Sequence, residues 1–97
     1  MATLHVMIHA HAAPGRSDEL RRLLVALVPP TRAETGCLRY ELLANETDPD
    51  DLGFVEEWTG TAALDAHLRT PHVQAALASI GPLISRPLDI RRYRALA

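Results

Sequence analysis

The sequence predicts an α+β domain of ferredoxin-like order, β-α-β-β-α-β: a four-stranded antiparallel sheet with its helices on one face. Three observations lead there. Thr3 to Ala10 alternates at the period of a strand. Leu20, Leu23, Leu24, Leu27 and Val28 recur at the three- and four-residue spacing of a helix. Thr47-Asp48-Pro49-Asp50-Asp51 forms a hairpin loop between two further strand-like runs. At 97 residues and 47% hydrophobic content, residues 1–97 make one domain, near the size at which a single core still sustains folding.

In the first strand Leu4, Val6, Ile8 and Ala10 share one face, and His5, Met7, His9 and His11 the other. Pro14-Gly15 marks a turn. The first helix starts near Arg16, with Asp18 and Glu19 at the positive end of its dipole. Pro29-Pro30 interrupts it, and a further helical turn reaches Glu34 before Gly36 ends it. Cys37 to Glu46 reads as the second strand and Gly53 to Thr59 as the third, where Phe54, Glu56 and Trp58 share a face and Glu57 points away. A helix from Thr59 or Thr61 carries Leu64, His67 and Leu68 on one side. Thr70-Pro71 is a cap followed by proline at the first helical position, opening a helix through Val73, Leu77 and Ile80. Gly81-Pro82 and Pro87 bound a loop, and Leu88 to Tyr93 is the last strand.

Composition removes several functions. The net charge is −2, and the arginines are scattered among twelve carboxylates, with Arg91, Arg92 and Arg94 reading as a solvated strand end, so no nucleic-acid partner is expected. All ten basic side chains are Arg, which leaves no lysine amine for a Schiff base with a carbonyl substrate or pyridoxal phosphate. Cys37 is the single cysteine, so neither an intrachain disulfide nor a cysteine-rich zinc site is expected. No segment has signal-peptide character and no apolar run approaches the roughly 20 residues of a membrane span, so the expectation is a cytoplasmic protein without a membrane partner. A glycine-rich phosphate loop, a nucleophile elbow and a Cys-His pairing are all missing from the sequence.

The candidate chemistry sits on the third strand and the helix after it. His67 lies on the helix side that faces the sheet, where an imidazole either moves a proton near pH 7 or is a partly buried histidine satisfied by one partner. Glu56 points into the covered sheet face, where a carboxylate needs a partner; it either orients His67 or makes a structural ion pair. Trp58, the sole tryptophan, is a flat wall for a ring or a core filler, and Tyr40 and Phe54 are similar, Tyr40 with a hydroxyl to orient a ligand. His72 is a second polar group at a pocket mouth or a surface histidine. His9 and His11 face the same way about 6.5–7 Å apart, yet no third ligand stands at a fixed spacing, so no metal site is expected; His9 also has the alternative of a pocket role. Met7 and its neighbours leave the second sheet face apolar and uncovered, which implies a homodimer packed sheet to sheet.

Glu34-Thr35-Gly36-Cys37-Leu38-Arg39-Tyr40, Phe54-Val55-Glu56-Glu57-Trp58 and Leu64-Asp65-Ala66-His67-Leu68-Arg69-Thr70-Pro71-His72, in this order and spacing, resemble the antibiotic biosynthesis monooxygenase family of the dimeric α+β barrel superfamily, which includes small quinol monooxygenases. The resemblance implies a homodimer with a cavity between sheet and helices in each subunit. It also implies oxidation of phenolic, quinol or polyketide-like rings by O2 without flavin, haem or metal. It places Glu56, Trp58 and His67 on the family's usual polar and aromatic pocket positions, His72 on a less uniform one and His9 on that of a first-strand polar residue; with these, His67 reads as the base or proton shuttle, Glu56 as its orienter, and Trp58, Tyr40 and Phe54 as ring-packing walls. Two alternatives accompany it: a proton-transfer isomerase of the type that processes autoinducer sugars, and a dimeric ligand-binding or stress-response protein in which these residues only pack.

Overall fold

The computed structural model describes residues 2–97 and has the expected order. Strand β1 (Leu4–His11) leads through the Pro14-Gly15 turn to α1 (Ser17–Val25) and α2 (Val28–Arg32). Strands β2 (Cys37–Ala44) and β3 (Asp51–Trp58) form the hairpin, α3 (Thr61–Leu68) and α4 (Pro71–Ile80) follow, and a 3₁₀ turn (Gly81–Leu83) leads to β4 (Asp89–Arg94). The four strands form one antiparallel sheet in the order β2-β3-β1-β4.

The alternation read from the sequence sets the layers. On β3 the side chains of Leu52, Phe54, Glu56 and Trp58 are buried, and on β1 those of Val6 and Ala10. They form the core with Leu20, Leu24 and Leu27 from the α1 region, Leu64 of α3, and Ala76 and Ile80 of α4. Burying side chains of this size stabilises the fold by roughly 1.5–3 kcal/mol each. The opposite sheet face keeps Met7, Leu43 and Tyr93 exposed.

Four expectations shift. The break in the first helix falls before the prolines, which instead occupy the first turn of α2, where a missing N–H leaves no bond unmade. The hairpin loop falls two residues earlier, at 45–50, because β2 ends at Ala44 and β3 starts at Asp51; Ala12 and Asn45 both bond backbone groups at Asp50 and Asp51 and hold that end in place. Leu77 is 48% exposed while Ala76 takes the core position, a rotation of α4 that a short amphipathic pattern does not resolve. The last strand begins at Asp89, one residue later than expected. The Thr70-Pro71 cap is as expected, with Thr70 Oγ1 accepting from the Val73 amide.

Candidate active site

A cavity of about 190 Å³ lies between the sheet and the helices, lined by hydrocarbon except at Tyr40, Glu56, His67 and Arg92. Val6, Ile8 and Phe54 supply its sheet wall, and Leu24, Leu64 and Val73 its helix wall. Leu68, Leu77 and Ile90 line it and are also exposed, which puts its mouth between α3, α4 and β4.

His67 is 4% exposed on α3. Its Nδ1 lies 2.8 Å from Glu34 Oε2, and His72 Nε2 lies 2.7 Å from the same oxygen. A carboxylate only accepts, so each histidine donates an N–H to it. For a neutral His67 this leaves the Nε2 lone pair free, and no described residue bonds that atom. The Trp58 ring backs the imidazole at 4.7 Å between centroids, and the Tyr40 ring meets it edge-on at 5.6 Å.

Of the two readings of Glu56, orienting His67 falls instead to Glu34, and in place of an ion pair Glu56 makes a bond with the Trp58 indole. Glu34 follows α2 in the turn to β2. Gly36, at φ +88°, lets that turn press against α3: a Cβ there would stand 2.6 Å from the Ala63 Cβ. The close approach carries Glu34 up to His67. Neither contact is local in sequence, and the only available signal was a helical turn ending at Glu34 ahead of a glycine.

Glu56 sits on the central part of the sheet, opposite Val6 on β1 and Tyr40 on β2, and is 1% exposed. Its Oε1 accepts from Trp58 Nε1 at 2.9 Å, while Oε2 has no partner among the described residues. Burial pushes its carboxyl up to about 7, against the lowering effect of the indole bond, and the nearby Glu34 pushes the same way. Near neutral pH a large share of Glu56 therefore carries a proton, an O–H available to donate to a ligand. Burial, followed by the charge of Glu56, likewise holds the Tyr40 phenol well above its ordinary range, so it stays protonated.

The other sequence candidates divide. Tyr40 and Phe54 line the cavity, with ring centroids 4.7 Å apart. Trp58 does not line it; it is fully buried behind Glu56 and His67 and holds both from the back. His72 is also outside the lining and bonds Glu34. His9 is on the other side of the sheet, bonded to Asp51, because its place in the strand alternation is that of Met7 and not of Val6.

Comparison with known proteins fits this arrangement. Residues 3–79 match the family model described as "Antibiotic biosynthesis monooxygenase". The chain belongs to the antibiotic biosynthesis monooxygenase family. Within curated proteins it is 38% identical over 77 residues to Rv0793 of Mycobacterium tuberculosis, named "Putative monooxygenase", an alignment covering 79% of this chain and 75% of that one. It is 31% identical over 81 residues to the uncharacterized protein sll1783 of Synechocystis, covering 84% of this chain but only 55% of that longer protein. Among solved structures PA3566 from Pseudomonas aeruginosa superposes with a TM-score of 0.95 at 34% identity, covering 100% of this chain and 97% of that one. A structure described as an antibiotic biosynthesis monooxygenase superposes with a TM-score of 0.91 at 31% identity, covering 97% of this chain and 99% of that one, so the β-α-β-β-α-β fold is that of the family's structures.

Proposed function

We propose that this protein oxidises a small electron-rich ring, of phenolic, quinol or polyketide-like type, with O2, and that it does so without a bound cofactor. The observation that carries the reading is a histidine beside an apolar cavity, its Nδ1 tied to a carboxylate and its Nε2 free. Such an arrangement selects one tautomer and stabilises the imidazolium that forms on proton uptake.

A ring packed on Tyr40 and Phe54 gives its acidic proton to His67 Nε2. Glu56, protonated, donates from Oε2 to the substrate oxygen on which negative charge collects, a role suited to a carboxyl with one orphaned buried oxygen. The deprotonated ring passes one electron to O2, and the resulting radicals combine at carbon as a peroxide. Loss of water leaves a carbonyl. For a substrate of the anthrone type one methylene and one O2 yield one carbonyl and one water, and the substrate supplies all four electrons. The protein then contributes a base, orientation and a dry site.

Size and lining narrow the substrate. An apolar cavity of about 150 Å³ takes up a benzene molecule, so about 190 Å³ suits one substituted ring, with a larger fused system extending through the mouth. The hydrocarbon lining weighs against a phosphorylated sugar and so against the isomerase alternative. We also take the protein to be a homodimer packed through the free sheet face, and its compartment to be the cytoplasm, since Cys37 has no disulfide partner within the chain.

Oxygen uptake by the purified protein, measured across a panel of reduced quinols and anthrones, tests the reading. Uptake dependent on protein and substrate is expected. A panel that draws no oxygen overturns it, and turnover unchanged under anaerobic conditions points to proton transfer alone.

A further inference from the structure

The histidines on the face of β1 turned away from the cavity are not used by the proposed chemistry, and β3 gives them a partner the sequence alone does not reveal. Register places His11 opposite Asp51. Asp51 Oδ1 lies 3.1 Å from His9 Nδ1 and 3.8 Å from His11 Nε2, and the donor atoms of all three residues fall within 4.8 Å of one another. The two imidazoles are nearly parallel, 15° apart with centroids 6.2 Å from each other. His9 has Gly53 as its register partner on β3, so no side chain stands across from it to block its ring from leaning to Asp51.

We propose that His9, His11 and Asp51 form a binding site for a late first-row divalent cation of the zinc type. Two imidazole nitrogens and one carboxylate oxygen are the donor set such ions take, with the remaining coordination position left for water. With metal–ligand bonds of about 2.0–2.2 Å, tetrahedral geometry sets neighbouring donors about 3.4 Å apart. The separations of 3.1 and 3.8 Å from Asp51 bracket that value.

The other cluster of this composition, Glu34 with His67 and His72, is drawn to 2.8 and 2.7 Å. That is the length of a charge-assisted hydrogen bond, closer than two ligands of one ion stand. The outer shell agrees with the assignment: Asn45 Nδ2 donates to Asp51 Oδ2 at 3.1 Å, fixing the carboxylate from behind as supporting residues do in metal sites. Asp89, across from His9 on β4, adds negative potential, although Arg91 bonds it at 2.9 Å. An ion here ties β1 to β3 at the end where the sheet meets the hairpin loop.

Titration of untagged, chelator-treated protein with ZnCl2 by calorimetry, together with the visible spectrum of the Co(II) form, is the test. One ion per chain is expected, with a rise in melting temperature on zinc addition. His11→Ala and Asp51→Asn should each weaken binding at least tenfold, and Asn45→Ala by about tenfold. His67→Ala should leave it unchanged. His9 is exposed and Asp51→Asn nearly isosteric, so these variants keep the fold, which circular dichroism checks. No saturable binding, binding that survives His9→Ala combined with His11→Ala, or binding abolished by His67→Ala would each overturn the assignment. None of these readouts depends on turnover, so the site and the oxygenation reading stand or fall separately.

Discussion

His67 and Glu56 are both buried against one cavity, but their neighbours divide the work between them. Glu34 gives His67 a fixed tautomer, so His67→Ala should lower turnover by about 10²–10⁴-fold, the usual worth of a positioned base. Glu34→Gln keeps the shape but removes the charge that stabilises the imidazolium; a smaller fall in kcat with KM nearly constant is expected in steady-state oxygen uptake. An equal loss of kcat in both variants, with substrate binding also gone, would point to collapse of the pocket instead. Glu56 makes a separate prediction through stability. Its folded-state carboxyl titrates at about 7 and its unfolded one near 4.5, so the folded state holds the proton more tightly. Its contribution is fully present below about pH 4.5 and fades as pH rises through 7. The difference is on the order of 3 kcal/mol. Glu56→Gln should therefore melt several degrees above the parent at pH 8 and lose that advantage at pH 5, in thermal scans at the two pH values. Equal melting temperatures at pH 8 would show Glu56 to be ionised at little cost.

At the scale of elements, the site depends on the turn between α2 and β2. Gly36 carries both a positive φ and the close approach to Ala63, so Gly36→Ala meets backbone strain and a steric overlap together. A loss of about 2–4 kcal/mol is expected, read as a lower urea midpoint, and with it the Glu34–His67 bond and turnover. Arg32 Nε donates to the Tyr40 carbonyl at 3.0 Å and ties the same α2–β2 connection to the cavity wall, so the damage should reach substrate binding. A Gly36→Ala protein with unchanged midpoint would refute this account. The same turn shows what the sequence could and could not convey. Strand alternation announced that Phe54, Glu56 and Trp58 share a face, and the Thr70-Pro71 pair announced the break that sets His72 off from His67, because both are local patterns. The meeting of Glu34 with His67 spans 33 residues and depends on how closely one turn packs on one helix. No period encodes that distance. The retreat of Trp58 behind Glu56 was hidden likewise, since alternation gives the side of a sheet but not the depth within the layer.

For the whole molecule the open question is the second sheet face. Its centre is apolar: Met7 is 43% exposed, and Leu43 and Tyr93 are comparably bare. Arg39 is already paired within the sheet, bonding Glu41 at 2.7 Å and Glu57 at 3.4 Å, and on the same face Asp51 is held by His9 at 3.1 Å. Such a face can be covered without stranding an unpaired ion, and an interface of standard size hides about 800 Å² per partner. A domain of 97 residues gains core by that route when its own is modest. Light scattering after size exclusion should accordingly give a dimer at micromolar concentration, with a melting temperature that rises with protein concentration. Met7→Glu combined with Tyr93→Glu sets like charges into the apolar centre and should yield a monomer of lower stability, while the cavity on the other side of the sheet keeps its lining. If the parent protein is itself a monomer at that concentration, the sheet-to-sheet arrangement is wrong and this face needs another partner. If the substituted protein remains a dimer, the two copies meet elsewhere, most simply through the exposed Leu68, Leu77 and Ile90 at the cavity mouth. Substrate access would then fall under the control of assembly, and oxygen uptake would drop as protein concentration rises.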